Sequence, residues 1–566
     1  MSTPTTTREA STGLPLLAVE DARTPVTGGE ALVRALAAHG AELAFGIPGT
    51  HNLEIYRHLP RHGIRHVNPR HEQGAGYAAD AYARLTGRPG VAVTTTGPAL
   101  LNIAAAAGQA YSDSVPLLVV SPGMPLRHPA LPTGLLHEMR SQTRALDGVV
   151  AFSHRVSSVA EIGPAVARAF ALFTGGRPRP AHLEIPLDLL EATGDPGPPC
   201  TAPPVVPASP APEPVRAAAR ALAAAERPAL VAGGGARGAA AGLRTLAERL
   251  GAPLVTTANG KGVLDETHPL ALGVGLHSPA VQEWLAERDV VLAVGTELAE
   301  ADTWVDRLPL RGTLLRADAD PGQMYAGLPA DVPLVGDAGA VLDALHRELD
   351  ACAPDPRPRA PEEAGALRRA RTAETRERDA RWVPYLDALR SVLDEDAVLT
   401  SDSAQCCYYG ALPHLPLGPS GRYLHPTGFG TLGYALPAAV GAKAAAPDRQ
   451  VVALSGDGGL QFSVQELATA AALRLPLPVV VFDNGGYGEI RDGMAARGDS
   501  PTAVDLPAVD LPALARAYGG AGAHARTPDE LSAALRTALT FPGPTLVVVP
   551  ETAPATHPQS TEEPTP

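Results

Sequence analysis

The stretch VVALSGDGGLQFSVQELATAAALRLPLPVVVFDNGGYG, Val451–Gly488, holds the residues best suited to chemistry. It reads as strand, Gly-Asp-Gly turn, helix, strand and Asn-Gly-Gly turn. That order sets Asp457 and Asn484 at the carboxyl ends of neighbouring parallel strands. Gly456, Gly458 and Gly459 let the backbone approach a bulky anion, and a helix starting near Gln461 would offer its first amides to phosphate oxygens. One carboxylate, one amide oxygen and one or two backbone carbonyls are too few to cage a hard cation. They suit Mg2+ or Ca2+ when diphosphate oxygens and a water complete the shell. Glu72, in RHEQGAGYAADAYARLTG (Arg70–Gly87), is the second candidate, a carboxylate at the start of a helix of small residues. Taken alone, it needs no more than favourable placement in a first helical turn.

The elements that must position these groups alternate short β-branched runs with Ala/Leu-rich helical stretches. The first block holds AELAFGIPG, GVAVTTTGP, VPLLVVSP and PAHLEIP; the second PALVAGGGA, APLVTTANG, DVVLAVGTE and GTLLRADAD. The third holds AVLTSDSAQ, RQVVALSGDGG, LPVVVFDNGG and GPTLVVVP. Continuous apolar strands alternating with helices predict parallel sheets covered on both faces. The fold class is therefore α/β, with three doubly wound parallel-sheet domains at 25–193, 215–350 and 373–553. Pro-dense linkers at 194–214 and 351–372 separate them, and tails at 1–24 and 554–566 are expected to be disordered.

At 566 residues the chain is too long for one core, and its 45% hydrophobic and 19% charged content is that of a globular protein. A net charge of −14 argues against nucleic acid or an anionic membrane as partner. No stretch approaches the ~20 apolar residues of a membrane span, and the N-terminus lacks the basic-then-apolar order of a signal peptide. Cys200, Cys352, Cys406 and Cys407 form no C-x-x-C pair, so a reduced, cytoplasmic protein is expected.

The Gly-Asp-Gly to Asn segment resembles the cofactor motif of the thiamine diphosphate enzymes. Where the family usually shows two Asn, this chain has Asp483 before Asn484. The resemblance implies that Asp457, Asn484 and the Gly486 carbonyl hold Mg2+, with Gly458 and Gly459 against the diphosphate. It also implies a role for Glu72 as the acid that hydrogen-bonds the aminopyrimidine and so promotes the C2 ylide. HVNPRHEQGAGYAADAYAR has the matching context, a short strand before the acid and a helix after it. Its small residues would admit the pyrimidine and keep the acid dry, which raises a carboxyl pKa. GFGTLGYALPAAVGA (Gly428–Ala442) resembles the segment that clasps the pyrimidine, with Gly430 offering its carbonyl and Leu432 supporting the bent cofactor. TSDSAQCC contributes Ser403 and Gln405 to the diphosphate. The three blocks then become pyrimidine-binding, central and diphosphate-binding domains. Their sites meet across a subunit interface, which implies a homodimer or homotetramer.

Within the family, the resemblance is to the acetolactate synthase and 2-oxo acid decarboxylase branch, and most to decarboxylases of 5-guanidino-2-oxopentanoate. It implies non-oxidative decarboxylation of a 2-oxo acid through an enamine. The alternatives are an acetolactate synthase-like carboligase and a catalytically silent paralogue kept for assembly or regulation. TTTGPALLN (Thr94–Asn102) lacks the adjacent histidines of pyruvate decarboxylases, leaving His51 and His71 as substitutes. Thr50, Gln109, His137 and Glu138 are expected around the substrate mouth, Glu138 pairing with a guanidinium. His277 is expected at the domain edge. LVAGGGARGAA in the central block is weak ground for a nucleotide; no flavin is expected, although FAD there is left open.

Overall fold

The computed structural model describes residues 24–129, 132–198, 201, 208–351 and 360–551. Both expected tails fall almost wholly outside them, as do Cys200 and Cys352.

Three six-stranded sheets carry the chain. The first holds β1 (Leu43–Gly46), β2 (Arg65–Val67), β3 (Gly90–Val93), β4 (Leu117–Gly123), β5 (Phe152–Arg155) and β6 (Ala181–Pro186) in the order 2-1-3-4-6-5. The central sheet holds β7 (Pro228–Ala232), β8 (Leu254–Thr256), β9 (Ala271–Val274), β10 (Val290–Val294), β11 (Thr313–Asp318) and β12 (Val332–Val335) in the order 9-8-7-10-11-12. The third holds β13 (Val398–Ser401), β14 (Arg422–Leu424), β15 (Val451–Gly456), β16 (Leu477–Asp483), β17 (Ala521–His524) and β18 (Pro544–Pro550) in the order 14-13-15-16-18-17. Counted from its own first strand, the third sheet repeats the order of the first. All strand pairs within these sheets are parallel. Their central strands are buried on both faces, as in β4, β10 and β18, which is why they are legible as unbroken apolar runs.

Three helix starts differ from expectation. The Pro-dense stretch read as a linker to 214 turns helical at Pro212, and the one read as a linker to 372 carries a helix from Ala360 to Asp379. Proline is well placed in a first turn, where its missing N–H costs nothing, so proline density marks the helix entrances here. The helix expected near Gln461 begins instead at Asp457, as a short turn to Leu460.

Helices α1 (Glu72–Thr86) and α2 (Pro98–Ser112) flank the first sheet; α3 (Ala435–Ala445), α4 (Glu466–Ala472) and α5 (Gly488–Ala496) belong to the third. The small residues of α1 are consumed by packing. A Cβ on Gly441 of α3 would lie 2.0 Å from the Ala78 carbonyl, and one on Gly76 would lie 2.4 Å from the Ala106 methyl of α2. The row of Gly and Ala behind Glu72 therefore serves close helix contact rather than room for a ring. One apolar core runs through both domains, joining Phe45, Tyr77 and Val119 to Tyr434, Val451 and Val479. Arg84 ties all three domains together through Asp80 (2.7 Å), Asp113 (2.7 Å), Asn259 (3.0 Å) and the His425 carbonyl (3.3 Å).

Candidate active site

Strands β15 and β16 are parallel neighbours with Gly456 opposite Phe482, so Asp457 and Asn484 leave the same sheet edge side by side. The Asn484 N–H donates to Asp457 Oδ1 at 3.3 Å. Asn484 Oδ1 is buried without a hydrogen-bond partner among the described residues, an arrangement that costs desolvation unless a donor or cation fills it. Burial, and then the charge of Asp483, push the Asp457 carboxyl up to about 6. A cation between them would relieve both. The turns are cut to fit. Gly486 has φ +149°, and a Cβ there would strike the Val504 carbonyl at 2.1 Å. A Cβ on Gly458 would lie 3.4 Å from the Gly486 carbonyl oxygen. A Cβ on Gly488 would lie 2.5 Å from Asn484 Nδ2 and 3.0 Å from Gln405 Oε1. These residues fit a divalent cation whose remaining ligands come from outside. Among the described residues no cluster of three or more His, Cys, Asp or Glu would hold a metal by itself.

A further buried acid, Asp402, joins the surrounding loops. Asp402 accepts from the Ser403 N–H (3.0 Å), the Gly433 N–H (2.9 Å) and the Ser455 hydroxyl (3.1 Å). It thus links the SDSAQ loop, the GFGTLG segment and the Gly-Asp-Gly turn. Gln405, beyond it, donates to Glu489 at 3.1 Å and Asp492 at 2.8 Å. Gly430 has φ +62° and is exposed, with half-buried Leu432 beyond it.

Helix α1 opens on Glu72, with His71 as its N-cap: the His71 ring accepts the Gln73 N–H at 3.2 Å. Half-buried Glu72 accepts from Asn102 Nδ2 at 2.9 Å. Glu466 at the head of α4 accepts the N–H groups of Arg70 and His71, which fixes the chain entering Glu72. Within one chain Glu72 and Asp457 bond to different residues, Asn102 and Asn484.

The ends of β1 and β3 bring together residues proposed for the substrate mouth. His51 Nδ1 and Thr96 Oγ1 are 2.6 Å apart, and Thr96 Oγ1 and His137 Nδ1 are 3.2 Å apart. The two imidazoles meet edge to face at 5.4 Å. Burial, and then His137, hold the His51 pKa below its ordinary value. His137 stands at φ +62°, and Gly97 is glycine because a Cβ would meet the His137 carbonyl at 2.6 Å. Exposed Thr50 lies beside His51 in the chain. Gln109 is elsewhere, donating to Asp113 at 2.6 Å in the Arg84 network. Glu138 is occupied by its own loop. It accepts the N–H groups of Thr133, Gly134 and Leu135 and pairs with His128 at 2.7 Å.

Comparison with known proteins accords with this geometry. Residues 26–144 match the N-terminal TPP binding domain of thiamine pyrophosphate enzymes, 215–345 their central domain and 405–549 their C-terminal TPP binding domain. The chain belongs to the thiamine pyrophosphate enzyme family. It is 44% identical over 535 residues to a probable 2-ketoarginine decarboxylase of Pseudomonas aeruginosa, covering 92% of this chain and 93% of that protein. It is 34% identical over 571 residues to the acetolactate synthase large subunit of Parasynechococcus marenigrum, covering 94% and 88%. With the isozyme 2 large subunit of Escherichia coli acetolactate synthase it shares 32% over 538 residues, covering 93% and 95%.

Two cavities flank the cofactor-binding segments of this thiamine pyrophosphate enzyme. One, about 420 Å³, lies where the three domains meet, lined by Gly234, Gly235, Arg237 and Asp337 and by the ion pairs Arg84–Asp113 and Arg177–Asp318. The glycine run there serves close approach of two turns, since a Cβ on Gly233 would lie 2.3 Å from the Gly295 carbonyl. The other, about 400 Å³, lies between central and third domains, with His277 and Ser403 in its wall. Thr96, Asn102, Asp402 and Glu466 are the site residues missed from sequence. Only Thr96 and Asp402 carried a signal, each following a β-strand at its carboxyl end.

Proposed function

We propose that this enzyme uses thiamine diphosphate and Mg2+ to decarboxylate a basic 2-oxo acid, 5-guanidino-2-oxopentanoate or a close relative, without oxidation. The 44% identity across nearly the whole of both chains to a probable 2-ketoarginine decarboxylase carries the reading. When bound, the cofactor supplies a carbon nucleophile and an electron sink for loss of CO2. Asp457, Asn484 and the Gly486 carbonyl would hold the metal. Ser403, Gln405, Gly458 and Gly459 would line the diphosphate, and Gly430 and Leu432 the ring system. Glu72, oriented by Asn102, would hold a proton at the aminopyrimidine. As the family resemblance implies, a partner subunit would supply the acid, in a homodimer or homotetramer. His51, kept neutral, would take or return a proton through Thr96 and His137, with Thr50 next to it in the chain, and His71 would stand beside the acid. The free buried thiols of Cys406 and Cys407 suit a reducing compartment such as the cytoplasm.

Transfer of the decarboxylated fragment to a second carbonyl compound is the other reading, favoured by the acetolactate synthase relatives at 34% and 32% identity. Purified protein with thiamine diphosphate and Mg2+, given a panel of 2-oxo acids, separates them. Free aldehyde and CO2 from one basic 2-oxo acid support decarboxylation; a hydroxyketone formed when an acceptor is added supports ligation. Absence of CO2 from every member of the panel would reject both.

A further inference from the structure

The cavity between the central and third domains shares walls with three segments assigned to the cofactor. Ser403 comes from the diphosphate loop, Thr427 leads into the pyrimidine clasp, and Glu489 follows the turn that carries Asn484. Its other walls have a distinctive chemistry. Glu489 is fixed at both oxygens, by the Tyr409 hydroxyl (3.1 Å) and by Gln405 Nε2 (3.1 Å). Asp302 and Glu300 face it from the central domain, Asp302 steadied by the Ala258 N–H at 2.9 Å. Burial pushes the Asp302 carboxyl up to about 7, a cost that a cation beside it would relieve. Among the described residues no arginine or lysine lines the space. Burial holds His277 and His425 neutral, each down to about 4. The guanidinium of Arg378 lies on the Tyr409 ring at 3.8 Å and is already paired with Asp379 at 2.6 Å.

Trp304 is the independent sign of a ligand. It caps the short helix Glu300–Thr303 in the left-handed region, its N–H donating to the Glu300 carbonyl, and the residue is 42% exposed. One face stacks on His277 at 4.1 Å, and its edge meets Tyr409 at 5.4 Å. A part-exposed indole in the wall of an acidic cavity of about 400 Å³ matches a flat organic cation, since guanidinium stacks on aromatic faces and forks onto carboxylates.

Resting on the decarboxylase reading above, we propose that this cavity seats the guanidinium of the substrate, with Glu489 and Asp302 as ionic partners and Trp304 as the stacking wall. Glu138, bound by its own loop, is not that partner.

The test compares kcat/KM for 5-guanidino-2-oxopentanoate and for its neutral isostere 2-oxo-5-ureidopentanoate in the holoenzyme, E489Q, D302N and W304L. Wild type is expected to prefer the guanidino acid, and each carboxylate variant to shrink that preference by about 10- to 100-fold. D302N is the decisive variant, because Asp302 does not touch Gln405. Equal losses on both substrates in D302N and E489Q would overturn the cavity assignment and leave the decarboxylase reading standing. A second readout does not use turnover: 4-guanidinobutanoate should quench tryptophan fluorescence in wild type and not in W304F, with weaker binding in D302N. Quenching without CO2 release from any 2-oxo acid would reject the decarboxylase reading and keep the guanidinium site. No quenching, with normal turnover of the guanidino acid and no preference over the ureido acid, would overturn the site alone.

Discussion

Glu466 of the third domain accepts the backbone N–H of His71 in the first, at 3.1 Å, one residue ahead of Glu72. The same carboxylate takes the Arg70 N–H at 3.0 Å and the Thr469 hydroxyl at 2.6 Å, and a Cβ on Gly74 would lie 2.5 Å from it. The third domain therefore fixes the backbone that leads into Glu72 in the first.

Substituting Glu466 by Ala leaves two backbone donors unpaired near a buried surface, at about 1–3 kcal/mol each. E466A is expected to lower Tm and to cut kcat while Mg2+-dependent cofactor affinity changes little. E466Q, which keeps an acceptor, should recover most of the Tm. An E466A protein with unchanged kcat would show the grip to be idle.

E72Q is expected to lower CO2 release by about 100-fold or more, the scale of a lost proton-transfer group. Glu72 is only half-buried, and its side chain bonds to Asn102, so Tm should barely move. N102A should mimic it weakly. Retention of full single-turnover rates in E72Q would remove Glu72 from the chemistry.

Asn484 offers a test in which stability and function diverge. Removing its unpartnered buried oxygen should leave the metal-free N484A protein as stable as wild type or slightly more so. Wild type should gain Tm when Mg2+ and thiamine diphosphate are added, by mass action, and N484A should not. Equal ligand-induced gains in both proteins would displace Asn484 from the clamp.

The His51–His137 pair fixes the sign of a pH effect. The folded His51 pKa lies below 6.5, lowered by burial and by His137. The neutral ring is therefore preferred when folded, and its contribution is lost as pH falls below 6.5 towards the folded value. If neutral His51 is required, kcat/KM should fall on the acid side within that window. H137N removes the repulsion, so the acid limb should move to higher pH. A limb that stays put in H137N would separate His137 from the titration.

The central strands are readable because parallel strands buried on both faces need unbroken apolar runs, as in PLLVV or VVLAV. Edge strands such as Phe152–Arg155 and Ala521–His524 are half-buried or exposed along their length, so FSHR and AGAH carry no such run. Asp457 and Asn484 are legible because a single short stretch contains both turns. Thr96, Asp402 and Glu466 are not, since their roles depend on partners such as His137, Gly433 and Arg70 that the fold brings from distant segments. The Gly and Ala behind Glu72 mislead for the same reason: the surface they accommodate is Gly441 and Ala106, which sequence spacing alone does not reveal.

The apolar interior that runs from Phe45 through Tyr434 to Val479 joins the two ends of the chain while the whole central domain is looped out between them. Melting of either end strips the other of its packing, so the two halves form one cooperative unit. An isolated amino-terminal fragment would expose that seam to water, whereas the central domain keeps an interior of its own beside the apolar cluster it shares with the third.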